Sequence, residues 1–331
     1  MALAMSVTTS YSNKLCINLA RLIVQLCLAL ILITLLLTLS PIDPISAYFD
    51  GNALAVFGDR KDLLTEQLGL NQSAIERIIL FVQALLSGDL GYSNHYQEPV
   101  SNIIWQRSKY SLILMCGASA TSLVLGYGIG LLLGLFPTRK VSTFITQLAL
   151  IMNALPSFWI GLMLIAIFAI KLMWFPVGGI SPLGVAPETL SFNEKAPYFV
   201  LPLITLCFSL IAPIILHTKE KVMEVNSSQH VHYARLHGQS TLSIVRYHLL
   251  RNTMVPALVI QLAGFSELLS GSVIIETVFN FPGIGQTLVK SGLSGDTPLL
   301  LGITFCCAIF VFIGNASASL LSKRLSLSSS F

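Results

Sequence analysis

Apolar residues run through this chain in long blocks separated by shorter polar ones, with little of the strict alternation that marks half-buried strands. A helix crossing a hydrocarbon core of about 30 Å needs around 20 mostly apolar residues. Six blocks have that length: 17–39, 111–136, 143–173, 199–217, 255–278 and 299–321. The pattern predicts an all-α polytopic membrane protein with about six transmembrane helices. The opening MALAMSVTTSYSNK is polar, and the block after it is too long for the apolar stretch of a signal peptide. Residues 1–16 are therefore expected as a tail and 17–39 as the first membrane helix.

Two polar segments are too long to be simple connections. Residues 40–110 carry turn chemistry at SPIDP and SGDLGYS and a helix-like LLTEQLGL, which predicts a small extramembrane subdomain. The transmembrane core, 111–321, is interrupted by a second such segment at 218–254, and 322–331 form a terminal tail. Lys and Arg near helix ends set orientation. With the N-terminus cytoplasmic, eleven of the nineteen lie inside, and eleven of the fifteen acids fall in the outer segments. Both termini are expected in the cytoplasm, with 40–110 outside and 218–254 inside.

Composition agrees: 54% of residues are hydrophobic and 10% charged, against about 25% charged in soluble domains, and the mean hydropathy is +0.78. The six cysteines lie in or beside apolar blocks without CxxC spacing, so they read as small apolar residues rather than a disulfide or zinc framework. The chain has no phosphate-binding Lys motif, nucleophile elbow or His-Glu zinc helix. No catalytic residue, cofactor or nucleic-acid contact is expected on this chain, and lipid is its surrounding solvent.

The inner segment divides at Gly238 into two helices, KEKVMEVNSSQHVHYARLH and TLSIVRYHLLRNTMVP, the second restarting at a serine–threonine pair. In the second, Leu242, Val245, Leu249 and Leu250 share one apolar face with Arg246 and Arg251 flanking it, a pattern that suits insertion into a partner's groove. The stretch QHVHYARLHG holds three of the chain's six histidines. His230 and His237 can share a helix face, but His232 lies about 200° from His230. One helix cannot aim all three at an ion, so they read as surface or partner contacts rather than a metal site.

Within the membrane blocks, Glu267 is costly to bury and is by default a candidate for the translocation path, with a hydrogen-bonded structural carboxylate as the alternative. Glu276, followed by the turn FNFPGIG, reads as structural. Asp43 and Asp89 read as turn caps, and Trp105, Trp159 and Trp174 as interfacial anchors. Gly126, Gly130 and Gly134 recur every four residues, the spacing that lets helices approach closely.

The string YARLHG followed by RYHLLRNTMVPAL resembles the EAA loop of binding-protein-dependent ABC importer permeases. That resemblance implies the type I ABC importer permease fold, with Ala234, Arg235, Gly238, Arg251 and Asn252 in the ATPase-coupling loop. The acid that opens many such motifs is His232 here. LTEQLGLNQS, SGDLGYS, EPVSNII, ALPSFWIGLMLIAIFAIKLMWFPVGG, LPLITL and LSGSVIIETVFNFPGIGQTLVKSGLSGDTPLLLG are similar, in order, to blocks of the dipeptide, oligopeptide and nickel permease family. SSQHVHYARLHG and FSELLSGSVIIETVF look most like its nickel branch. The resemblance implies a bacterial inner-membrane subunit that works with a second homologous permease, two cytoplasmic ATP-binding subunits and a periplasmic substrate-binding protein. ATP would be bound and hydrolysed on those partner chains. Nickel or a related chelated divalent metal is the expected substrate, with di- or oligopeptides as the alternative. An ion-coupled secondary transporter using Glu267, or a membrane scaffold, would lack a use for the coupling loop.

Overall fold

A computed structural model describes residues 74–93, 95–182 and 184–328, together with the helical positions Val24, Leu28, Ile31 and Leu32. Those four positions, spaced to share one helix face and all exposed, are the described part of the expected first span. The tail 1–16, Asp43, Cys16 and Cys27 lie outside the described residues.

Helices dominate: α1 (Ala74–Leu86), α2 (Val100–Leu135), α3 (Lys140–Ala154), α4 (Ser157–Lys171), α5 (Phe192–Asn226), α6 (Gln229–Leu236), α7 (Thr241–Ala263), α8 (Phe265–Val278), α9 (Ile284–Leu293) and α10 (Thr297–Ser328). A two-residue antiparallel ladder, β1 (Tyr92–Ser93) with β2 (Glu98–Pro99), pairs Tyr92 with Pro99. Among the described residues α2, α5 and α10 are each long and apolar enough to cross a membrane. Two expected spans are bent pairs instead of single rods: α3 and α4 meet at 102°, and α7 and α8 at 53°. The first break falls at Leu155 and Pro156, both extended, where the proline ring disfavours helical geometry at the residue before it. The second falls at Gly264. Counting each pair as one span gives five among the described residues. The expected tail at 322–331 is also helical as far as Ser328.

The chain divides into two compact units, Met1–Lys109 with Gln286–Ile313, and Tyr110–Gly285 with Gly314–Phe331. In the first, the Gly-rich turn forms as expected: the Asp89 side chain accepts from the Gly91 N–H at 2.8 Å, an Asx-turn. Asp296, 2% exposed, accepts from the Ser93 hydroxyl at 2.5 Å and the His95 N–H at 3.1 Å, pinning the hairpin. Burial pushes the nearby Tyr96 phenol above its ordinary range, with Arg107 opposing the shift.

In the second unit the glycine seam packs as its spacing predicts. A Cβ on Gly126 would meet Ile214 at 3.1 Å, one on Gly130 would meet Thr218 at 2.7 Å, and one on Gly134 would meet Val222 at 2.6 Å. The contacts advance together along both chains, so α2 and α5 run parallel, nearly backbone to backbone. Helix α7 runs antiparallel to α2, tied by two polar rungs. Tyr127 and Thr253 share a hydrogen bond at 2.8 Å, and the Gln261 amide donates to the Ser119 hydroxyl at 2.6 Å. The rungs are two turns apart, about 12 Å at 1.5 Å per residue. No disulfide joins the described cysteines, of which Cys207 is buried and Cys116 exposed.

Candidate functional site

Residues 218–254 are more continuous with the long apolar helices than their polarity predicts. Helix α5 does not stop at the membrane block but runs on to Asn226. The short helix α6 follows, and α7 then rises unbroken from Thr241 to Ala263, with a π-helical turn at Val245–Leu249. Val222 and Val225 of α5, Val231 of α6, and Ile244 and Leu249 of α7 form one buried cluster, on which Leu131 and Leu135 of α2 also pack. Hence α6 is rooted on the ends of three helices.

Gly238 ends α6 as expected. Its φ is +76°, its N–H donates to the Arg235 carbonyl at 3.0 Å, and the Gln239 N–H donates to the Ala234 carbonyl at 3.1 Å. These paired bonds make a Schellman motif, which satisfies carbonyls that a helix end otherwise leaves open. The restart is capped by Ser240, whose side chain accepts from the Ser243 N–H at 3.3 Å.

The remaining loop residues take two kinds of place. Ala234 is 5% exposed and faces inward beside Val231, so its small side chain lets α6 lie close to the cluster. Arg235 is exposed and its guanidinium donates to the Asn226 side chain. Arg251 and Asn252 are exposed, and the Asn252 amide donates to the His248 carbonyl at 2.7 Å. The expected apolar docking face of the second helix is corrected here: Leu249 is fully buried and Val245 and Leu250 half-buried, leaving Leu242 outward at 78% exposure. An apolar stripe marks a face that needs covering, and here the protein's own core covers most of it. The outward apolar side chains are Tyr233, Leu236, Leu242 and Tyr247, of which Tyr233 and Leu236 were recognisable as the face of α6 opposite Val231 and Ala234.

The histidines do not converge. His230, His232 and His237 are exposed. His237 stacks on Tyr233 with ring centres 4.0 Å apart, while His230 lies 5.7 Å from His248. Among the described residues no group of three His, Cys, Asp or Glu side chains could hold a metal.

The two membrane glutamates differ sharply. Glu267 is exposed in the first turn of α8, just past the break at Gly264, where the amide end of a helix favours a carboxylate. Glu276 is fully buried. It accepts from the Ser111 hydroxyl at 2.6 Å and the Gly285 N–H at 2.7 Å, while Ser111 also accepts from the Ile284 N–H at 2.7 Å. The carboxylate and Ser111 therefore fasten the start of α9 to α8 and α2, a structural role in keeping with the FNFPGIG turn. Ser111 lies 165 positions away, so no local signal in the sequence could have identified it.

In the second unit a short capped helix thus stands on the ends of three long helices, with most of its polar side chains outward. Residues 126–328 match the family described as binding-protein-dependent transport system inner membrane component. The chain is 28% identical over 285 residues to the oligopeptide transport system permease protein AppB of Bacillus subtilis, covering 85% of this chain and 88% of that protein. It is 30% identical over 287 residues to a protein named as a peptide permease in Brucella suis, covering 86% and 88%. It is 28% identical over 239 residues to the glutathione transport system permease protein GsiC of Escherichia coli, covering 72% and 74%. The chain belongs to the binding-protein-dependent inner-membrane permease family. It is a multi-pass membrane subunit of an ABC importer.

Proposed function

We propose that this subunit passes short peptides across the inner membrane, powered by ATP hydrolysed on partner chains. The observation that carries the reading is the capped α6–Gly238–α7 element, exposed on one side and rooted by Val231, Ala234, Ile244 and Leu249 in the ends of α2, α5 and α7. A rigid knob so mounted suits transmission of a push from a cytosolic ATPase into the membrane helices. The rungs at Tyr127–Thr253 and Ser119–Gln261 would carry α7 and α2 together. The bend at Gly264 would let α8, with Glu267 at its start, swing against them.

In this reading Ala234, Arg235, Gly238, Arg251 and Asn252 belong to the coupling surface, and Glu267 lines the translocation path. The N- and C-termini and the α6 element face the cytoplasm, and 40–110 face the periplasm. The working assembly adds a second homologous permease, two ATP-binding subunits and a periplasmic binding protein. No cofactor is held by this chain. Peptides replace nickel as the lead substrate because the relatives named above are peptide, oligopeptide and glutathione permeases, whereas the nickel reading rested on short strings around His230 and Glu267. The discriminating experiment is uptake of a labelled dipeptide and of radioactive nickel by cells with and without this chain. Loss of peptide uptake alone is expected, and loss of nickel uptake alone refutes the substrate assignment.

A further inference from the structure

From Val225 to Ser266 the chain has no aspartate or glutamate, yet this stretch carries Arg235, Arg246, Arg251 and four histidines. Folding places most of these basic side chains outward: Arg235, Arg246, Arg251, His230, His232 and His237 are all exposed. Among them stand Tyr233, Leu236, Leu242 and Tyr247, each at least 63% exposed. Near this surface, on α5, Glu224 is already paired with Lys221 at 2.8 Å. A hollow of about 670 Å³ opens beside α6, bounded by His230, Tyr233, His237, Gln239 and His248. His248 Nε2 lies 3.2 Å from Gln239 Oε1, so the walls offer ring nitrogens and an amide and no acid.

We propose that this surface selects a cytosolic ATPase whose docking groove has an apolar floor and a carboxylate rim, one acidic side chain of that rim entering the hollow between His230 and His248. The inference rests on the reading of α6 as the ATPase-docking element and assigns the chemistry of its partner. Charge complementarity carries it. A surface with three exposed arginines and no carboxylate from Val225 to Ser266 is repelled by a basic rim, and like-charge juxtaposition at an interface suppresses the wrong partner. The four apolar side chains need a floor that excludes water, as the centre of a protein interface does. A lipid headgroup layer would be matched by a flat cationic face, whereas this face alternates cations with projecting rings and a hollow.

The test uses the permease complex co-expressed with its ATPase. A photo-crosslinker at position 236 first reports the neighbour, and the absence of an ATPase adduct removes the docking reading and this proposal with it. With an adduct formed, the R246E/R251E variant is expected to lower ATPase association about tenfold or more at low salt, and R246Q/R251Q by a smaller factor. Exchanging the crosslinked groove's carboxylates for lysines is expected to restore association to R246E/R251E. Unchanged association in R246E/R251E, or a crosslinked groove without carboxylates, overturns the assignment while leaving the docking reading intact. Retained ATPase association combined with lost binding to phosphatidylglycerol vesicles, relative to phosphatidylcholine, assigns the surface to lipid and also overturns it. Folding of each variant is checked by its yield in the membrane and by its melting temperature.

Discussion

Replacing Gly238 isolates the contribution of one backbone turn. The residue sits at φ +76°, and a Cβ built there meets nothing within 4 Å, so substitution carries a conformational cost and no steric one. An L-residue in the left-handed region costs roughly 1–2 kcal/mol, with Asn penalised least. A β-branched residue is worse than Ala because it is stiffer at χ1. At about 1.4 kcal/mol per factor of ten, Gly238→Ala should lower the ratio of properly closed to open α6 by about fivefold to thirtyfold. Gly238→Val should reduce it further, and Gly238→Asn by about twofold. The assay is association of the ATPase with the permease in solubilised membranes, run alongside uptake, with membrane levels of each variant as the control. The expected order is Gly, then Asn, Ala and Val. Equal binding by all four refutes the coupling role of the turn, and Asn behaving as badly as Val shows that side-chain contact rather than φ decides.

Other substitutions probe separate parts of the account. Gly134→Ala places a methyl 2.6 Å from Val222 and Gly128→Ala meets nothing, so the first should cost about 1–3 kcal/mol of thermal stability and the second almost none. Equal melting temperatures for the two would dispose of the seam. Glu276→Ala strands the Ser111 hydroxyl and the Gly285 N–H in a buried site and should cost about 1–3 kcal/mol for each group left unpaired, read as a large loss of thermal stability, with Glu276→Gln milder. Tyr127→Phe and Gln261→Leu each remove a rung worth about 0.6–2 kcal/mol, and should lower uptake per ATP hydrolysed; an unchanged ratio argues that α2 and α7 do not move together. Glu267→Gln should change transport and leave assembly intact, and wild-type uptake would return Glu267 to a structural role.

Features set by short-range rules were legible in the sequence. The four-residue glycine spacing marked a close-packing seam on α2 but not α5 as its partner, while Gly238 marked the end of α6 and Asp89 its turn, because these patterns lie within one or two helical turns. Direction was not legible. Hydropathy registers 143–173 as one apolar block although the chain turns through 102° inside it, since a bent helix pair and a straight rod have the same apolar content. The stripe through Leu249 showed a face that needs covering and could not show whether a partner or the chain's own α5 covers it. Glu276 was readable as structural, while its partner Ser111 was not, because a contact across 165 residues leaves no local pattern.

The central claim is best tested in proteoliposomes holding this chain with its second permease and ATPases, supplied with the binding protein. The account predicts that a labelled short peptide accumulates, that accumulation requires both ATP hydrolysis and the binding protein, and that nickel does not accumulate. Peptide accumulation without ATP hydrolysis would contradict the class of transporter, and ATP-dependent accumulation of nickel in place of peptide would contradict the substrate.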